Sequence, residues 1–216
     1  CLWPRLRWGL APLSAELPVP KGQSLRLTFD DGPTPGLTEP ILDLLAQHGV
    51  KASFFVLVPK ARRNRKIIRR IVAEGHVLGL HGEDHRAPFF RPTKELLASL
   101  RRARRELEAI VDDPHSVALY RPSHGWKNRA LLSAVGSAGL RISLWDHGIW
   151  DTDAPAPEVL LKRLRVLSDN LDPQKPLIVL MHDGRGDPDE RPRHADALLA
   201  ALKIWLPEIA PRKSVS

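Results

Sequence analysis

Asp30 and Asp31 stand side by side in LTFDDGPTP, residues 27–35, where a short apolar run ends. Adjacent carboxylates repel each other, and no basic residue lies beside them in sequence; a cation would offset that repulsion. Further along, HGEDH (81–85) places two histidines four residues apart behind another apolar run. Two imidazoles and one carboxylate form a facial set that leaves coordination positions open for water and substrate. A zinc-like ion so held lowers the pKa of bound water towards about 7 and polarises a carbonyl oxygen. The second carboxylate then serves as general base on that water. One Asp binds metal and the other takes a proton. The single cysteine, Cys1, excludes a Cys-type zinc cluster within the chain, so any metal site must use His and carboxylates.

These residues need elements that bring them together. Apolar runs at 25–29, 52–58, 76–80, 117–120, 140–145 and 177–181 alternate with helical patterns near 37–47, 64–74, 93–111, 128–138, 157–168 and 194–206. Runs that are apolar throughout suit strands buried on both faces of a parallel sheet, and the alternation predicts an α/β fold with right-handed crossovers. Gly49, Gly75 and Gly139 each end a helical pattern just before a strand. The polar candidates follow the strands in turn: Asp30 and Asp31, His81 and His85, Arg121, Asp146 and Asp151, His182 and Asp183. In parallel α/β folds the C-terminal strand ends share one rim, where active sites gather.

Composition sets the outer bounds. The 216 residues suit one domain with a sizeable core, and 43% hydrophobic with 27% charged residues is ordinary for a globular chain. No stretch approaches the ~18 apolar residues of a membrane span. The net charge of +8 favours anionic surroundings such as nucleic acid, phospholipid headgroups or acidic wall polymers. The basic runs at 62–70 and 101–105 interleave with aliphatic residues, not aromatic ones. They read as solvated faces of amphipathic helices rather than as a nucleic-acid groove, so no specific nucleic-acid partner is expected.

The ordered set TFDDGP (28–33), HGEDHR (81–86), YRPSHG (120–125), WDHGIWD (145–151) and LMHD (180–183) resembles the polysaccharide deacetylase (NodB-like) family, carbohydrate esterase family 4. ASFFV (52–56) and EGHVLGLH (74–81) also look like the family's connecting sequence. The resemblance implies a distorted (β/α)7-type barrel of parallel strands that need not be complete. It implies removal of N-acetyl groups from an amino-sugar polymer or oligosaccharide, chitin- or peptidoglycan-like, with release of acetate. It implies one divalent ion, zinc foremost, with cobalt, nickel or manganese as alternatives. By the same resemblance Asp30 is the catalytic base, and Asp31, His81 and His85 hold the metal. Arg121 orients Asp30 and keeps it ionised, and His182 is the general acid. Asp151 supports His182, a backbone N–H near His124 helps bind the oxyanion, and Leu180 lines the acetyl pocket. Two positions depart from the family: His124 stands where Tyr or Trp is common, and Thr152 where Trp often follows the fourth-motif Asp. Trp150, Trp145 or Trp126 would supply the missing sugar-stacking surface unless they belong to the core. The family's barrel usually ends with a further strand, and PEIAPRKSVS (207–216) carries no strand pattern.

Other readings stay open at this point. The same metal and base would serve an O-acetyl esterase or another amide hydrolase, and the fold could carry a non-catalytic carbohydrate- or polyanion-binding domain. His48, His76, His115 and His194 are read as structural or exposed; His147 is a candidate to reach the rim. Asp183 is read either as support for the site or as part of a turn with Gly184. Residues 1–22 form an N-terminal arm or membrane-proximal segment, and 23–216 the catalytic domain. A bacterial lipoprotein starts at Cys once processed, so Cys1 is either a lipid-anchored start or a cut within a longer product. A bacterial cell-envelope or secreted location is expected.

Overall fold

The structure, a computed structural model, describes residues 25–85, 91–172, 175–186 and 190–210. The N-terminal arm read at residues 1–22, with Cys1, lies outside them, as do residues 211–216. Seven parallel strands run in the order β5-β4-β3-β2-β1-β7-β6. They are β1 (Leu25–Asp30), β2 (Ala52–Leu57), β3 (Val77–Gly82), β4 (Leu119–Tyr120), β5 (Arg141–Ile142), β6 (His147–Gly148) and β7 (Leu177–His182). The helices are α1 (Thr38–His48), α2 (Val58–Arg63), α3 (Arg65–Ala73), α4 (Thr93–Val111), α5 (Arg129–Ser137), α6 (Pro157–Asp169) and α7 (Ala195–Ile209).

β1 and β2 are buried at every residue, as their unbroken apolar runs require. β1 sits centrally, in register with β2 on one side and β7 on the other, so Asp30 lies level with His182. The two outer strands, β5 and β6, are consecutive in the chain, with only residues 143–146 between them. So few residues span roughly 3.3–3.6 Å each at most. The sheet must therefore curl until its outer strands approach each other, giving an incomplete (β/α)7 barrel in which a chain segment, not a ladder, bridges the gap.

Two elements differ from the sequence reading. The second strand stops at Leu57, and Val58–Arg63 forms α2 with Pro59 in its first turn, where a missing N–H costs nothing. Among the described residues the seventh strand is β6, inside the WDHGIWD region. It is two residues long, too short for any period to show.

The basic helices behave as amphipathic elements. α3 buries Ile67, Ile68 and Ile71, and α4 buries Leu96, Leu100, Ala103, Leu107 and Ile110. Their arginines meet carboxylates: Arg70 with Asp43 and Glu74, Arg102 with Glu83, Arg104 with Glu108. Gly49, Gly75 and Gly139 all adopt positive φ at the helix ends where the sequence placed them. No helix among the described residues is long and apolar enough to cross a membrane.

Candidate metal centre and active site

The C-terminal strand ends open on one cavity of about 840 Å³, whose lining includes Asp30, Asp31, His81, His85, His124, Leu180 and His182. Four segments distant in sequence meet there because parallel strands end on the same side.

Asp31, His81 and His85 present ligand atoms within 4.8 Å of one another. Both Nε2 atoms lie 3.2 Å from the same oxygen, Asp31 Oδ1. His81 Nδ1 lies 2.8 Å from the Arg121 carbonyl oxygen. A carbonyl only accepts, so Nδ1 carries the proton and the Nε2 lone pair faces Asp31. Asp31 Oδ1 is buried and accepts no hydrogen bond among the described residues. A buried carboxylate oxygen facing imidazole lone pairs fits a cation between them. Charge favours the same occupant. Burial alone would lower the His81 pKa, yet Asp30 and Asp31 raise it, and a site that attracts a proton attracts a divalent ion. At His85 burial outweighs the pull of Asp31 and lowers the pKa, which keeps its lone pair available. Burial works to raise the Asp31 pKa, but the imidazoles of His81, His85 and His182 around it hold it well below the usual range.

Asp30 is buried and points to Arg121, whose Nη1 donates to Asp30 Oδ1 at 2.8 Å and to Thr28 Oγ1 at 2.7 Å. Arg121 Nε and Nη2 donate to the Ser143 and Leu144 carbonyls, each at 3.0 Å. The guanidinium lies over the Phe55 ring, 3.9 Å from its centroid. Such a fully buried cation, held by four hydrogen bonds, fixes the orientation of the carboxylate it faces.

His182 is held from the other side. Its backbone N–H donates to Asp151 Oδ2 at 2.7 Å, and its Nδ1–H to Asp151 Oδ1 at 2.9 Å. Burial works against the imidazolium, but the Asp151 hydrogen bond and charge, with Asp30 and Asp31, outweigh it and raise the pKa to about 9. Asp151 itself is fully buried. Asp146, read as a rim residue from its position behind a strand, is not one. Its Oδ2 accepts from Ile178 N at 2.9 Å, near the start of β7 and far along that strand from His182. His147 is exposed on β6, pairs with Val179, and does not line the cavity.

His124 lies at the mouth in a left-handed conformation (φ 58°), its ring 4.6 Å from that of His85 and 5.6 Å from that of Trp126. Pro122 has no N–H, so the first backbone donors after Arg121 belong to Ser123 and His124. Leu180, on β7, forms part of the cavity wall. Of the three tryptophans, Trp145 is half-buried against Gly125 and lines the cavity, whereas Trp126 does not line it. Trp150 is 58% exposed beside the cavity. Its backbone is left-handed (φ 56°), and Arg163 donates to the Ile149 and Trp150 carbonyls beneath it.

The sequence reading set His194 apart from the site, yet it is buried directly behind His182. Its Nε2 donates to the His182 carbonyl at 3.0 Å and lies 4.0 Å from Asp151 Oδ2. A helix-start histidine gives no sequence signal for such a role, because only the return of α7 against β7 brings it there. His76 is structural: it is buried, accepts from Ala52 N, and burial lowers its pKa to about 4. Asp183 is fully buried under the loop after β1, where burial pushes its carboxyl up to about 7 against the Thr38 hydrogen bond and the Lys60 charge.

The chain is similar to enzymes of known activity. It is 29% identical over 197 residues to a peptidoglycan-N-acetylglucosamine deacetylase of Bacillus cereus, covering 88% of this chain and 84% of that one. It is 32% identical over 195 residues to a chitooligosaccharide deacetylase of Azorhizobium caulinodans, covering 88% and 89%. A crystal structure of a peptidoglycan N-acetylglucosamine deacetylase in complex with a naphthalenyl N-oxidanyl benzamide superposes with a TM-score of 0.72 at 27% identity, over 88% of this chain and 83% of that one. Residues 18–143 match the polysaccharide deacetylase family, and the chain is a member of that family of hydrolases.

Proposed function

We propose that this chain hydrolyses the acetamide of N-acetylated amino sugars in a polymer or oligosaccharide, of the chitin or peptidoglycan kind, with one divalent ion at Asp31, His81 and His85. The observation that carries the reading is the convergence of a paired carboxylate, a His/His/Asp ligand set and a carboxylate-backed histidine on one cavity. The relatives named as peptidoglycan and chitooligosaccharide deacetylases support the substrate class. The N-oxidanyl benzamide in the neighbouring structure is an N-hydroxy amide, a group that chelates divalent ions by its chemistry.

When bound, the ion supplies Lewis acidity towards the acetyl carbonyl and makes water more acidic. The two-imidazole, one-carboxylate set suits zinc first, with cobalt, nickel or manganese also compatible. Asp30, fixed by Arg121, takes a proton from water as its oxygen bonds to the carbonyl carbon. The N–H of Ser123 or His124 faces the developing oxyanion. His182 gives the proton from Nε2 to the amide nitrogen as the C–N bond breaks, and Asp151 holds the imidazolium through Nδ1. Acetate and a free amine leave. Leu180 meets the acetyl methyl, and the exposed Trp150 offers a face on which a sugar ring stacks. The basic chain is suited to anionic polymers of a bacterial cell envelope, and residues 23–216 act as the catalytic unit.

The test is acetate release from chitooligosaccharides, peptidoglycan and acetylated xylan by protein stripped of metal and reloaded ion by ion. Release from the amino-sugar substrates that depends on added metal is expected. Release from xylan alone would point instead to O-acetyl esterase chemistry on the same residues.

A further inference from the structure

Asp31 is left-handed (φ 71°), a conformation that is strained for a non-glycine residue unless its surroundings hold it there. The segment after β7 does the holding. Asp183 N–H donates to the Asp30 carbonyl at 3.1 Å, and Gly186 N–H to Asp31 Oδ2 at 3.3 Å. Gly184 lies so close to the Asp31 carbonyl that a side chain there would collide with it.

The Asp183 side chain turns the other way, beneath Gly32, where any Cβ would run into its carboxylate. Its Oδ2 accepts the Thr38 hydroxyl proton at 2.7 Å, and the Thr38 Oγ1 accepts from Thr34 N–H at 2.8 Å. A relay of two hydrogen bonds thus ties the far side of the Asp31–Thr34 stretch to the end of β7. Both Thr38 and Asp183 are fully buried, and Asp183 does not line the cavity. A carboxylate in such a place is costly, and an apolar residue of similar size would pack there more cheaply. Its hydrogen bond from Thr38, which in turn holds the Thr34 N–H, is what an apolar residue could not make.

We propose that Asp183 and Thr38 are positioning residues for the divalent-ion site. They clamp the loop after β1 so that Asp31 keeps its left-handed backbone and aims Oδ1 between the two imidazoles. The proposal rests on the reading of Asp31, His81 and His85 as metal ligands. Partners of this kind change metal affinity about 10- to 100-fold when removed.

The test is competition of the full chain with a chromophoric chelator for Zn²⁺ and Co²⁺, together with the visible absorption spectrum of the Co²⁺ form. Thr38→Val keeps the side-chain shape and removes the relay; Thr38→Ser keeps the hydroxyl; Asp183→Ala removes the acceptor. Expected are a 10- to 100-fold weaker affinity and an altered cobalt spectrum for Thr38→Val and Asp183→Ala, with Thr38→Ser close to the wild type. Wild-type affinity and spectrum in Thr38→Val would overturn the clamp, whatever happens to the melting temperature. Equal weakening by Thr38→Ser and Thr38→Val would overturn it too. If Asp183→Ala does not fold, the Thr38 pair decides alone. A wild-type chain that binds neither ion would remove the ligand assignment, and the clamp with it, whereas binding by the wild type and equally by the variants removes only the clamp.

Discussion

Asp151 grips His182 with both carboxylate oxygens, Oδ2 on the backbone N–H at 2.7 Å and Oδ1 on the ring Nδ1–H at 2.9 Å. One buried carboxylate therefore fixes the ring's position, its tautomer and its affinity for a proton at once. The His182 pKa is raised from 6.5 to about 9. The interaction thus stabilises the fold fully below about 6.5, and that contribution is lost as pH rises through about 9. If His182 is the acid, turnover falls on the alkaline side as its proton leaves. An ion at Asp31 offsets part of the pull from Asp30 and Asp31, so the limb of the loaded enzyme lies below that value. Asp151→Asn should move the alkaline limb of kcat/KM to lower pH still, while Asp146→Asn leaves it in place. A full pH–rate profile of both variants checks this.

Asp30→Asn should keep the metal and lose about 10²–10⁴ in kcat, because an amide cannot accept the proton that water gives up. Metal content and single-substrate kinetics on the same preparation test it. Near-normal turnover would mean that the two adjacent carboxylates have the opposite roles.

Arg121 makes four hydrogen bonds in full burial, and its charge faces Asp30. Arg121→Met leaves Asp30 as an unpaired buried carboxylate, a change that typically costs about 3–5 kcal/mol. Urea unfolding should show that loss as a lower midpoint at unchanged slope. Arg121→Lys should restore only part of it, since an ammonium cannot span the Asp30, Ser143 and Leu144 acceptors together.

His81→Ala removes one of the three proposed ligands, the imidazole held by the Arg121 carbonyl. Its metal content should fall well below one ion per chain, and a chelator should then leave its melting temperature unchanged. In the wild type, free metal at 100 times Kd should add about 2.7 kcal/mol of stability that a chelator abolishes.

Trp150→Ala should lower kcat/KM for long oligosaccharides roughly 5- to 10-fold, the equivalent of about 1–1.4 kcal/mol for one lost aromatic contact. Acetate release from a series of increasing chain length measures it. Because Trp150 is exposed and outside the core, the melting temperature should barely move.

The sequence by itself determined which candidate residues stand at the strand ends and the side of the sheet on which they lie. Asp30, Asp31, His81, Arg121 and His182 follow long or well-bounded apolar runs, and a parallel sheet leaves its strand ends no choice but to share a rim. The length of α4 was equally legible, because nineteen residues carry enough helical period to mark both ends. What the sequence left open was every relation set by short or irregular backbone. Asp146 and Asp151 look alike in a polar loop, and only the two-residue strand β6, formed by pairing with β7, turns one towards the start of that strand and the other onto His182. His194 and Asp183 back the site from the residue before α7 and from the loop after β7, through contacts between segments that local sequence does not link. Such contacts depend on how helices and loops dock, and local residue preferences carry no record of that docking.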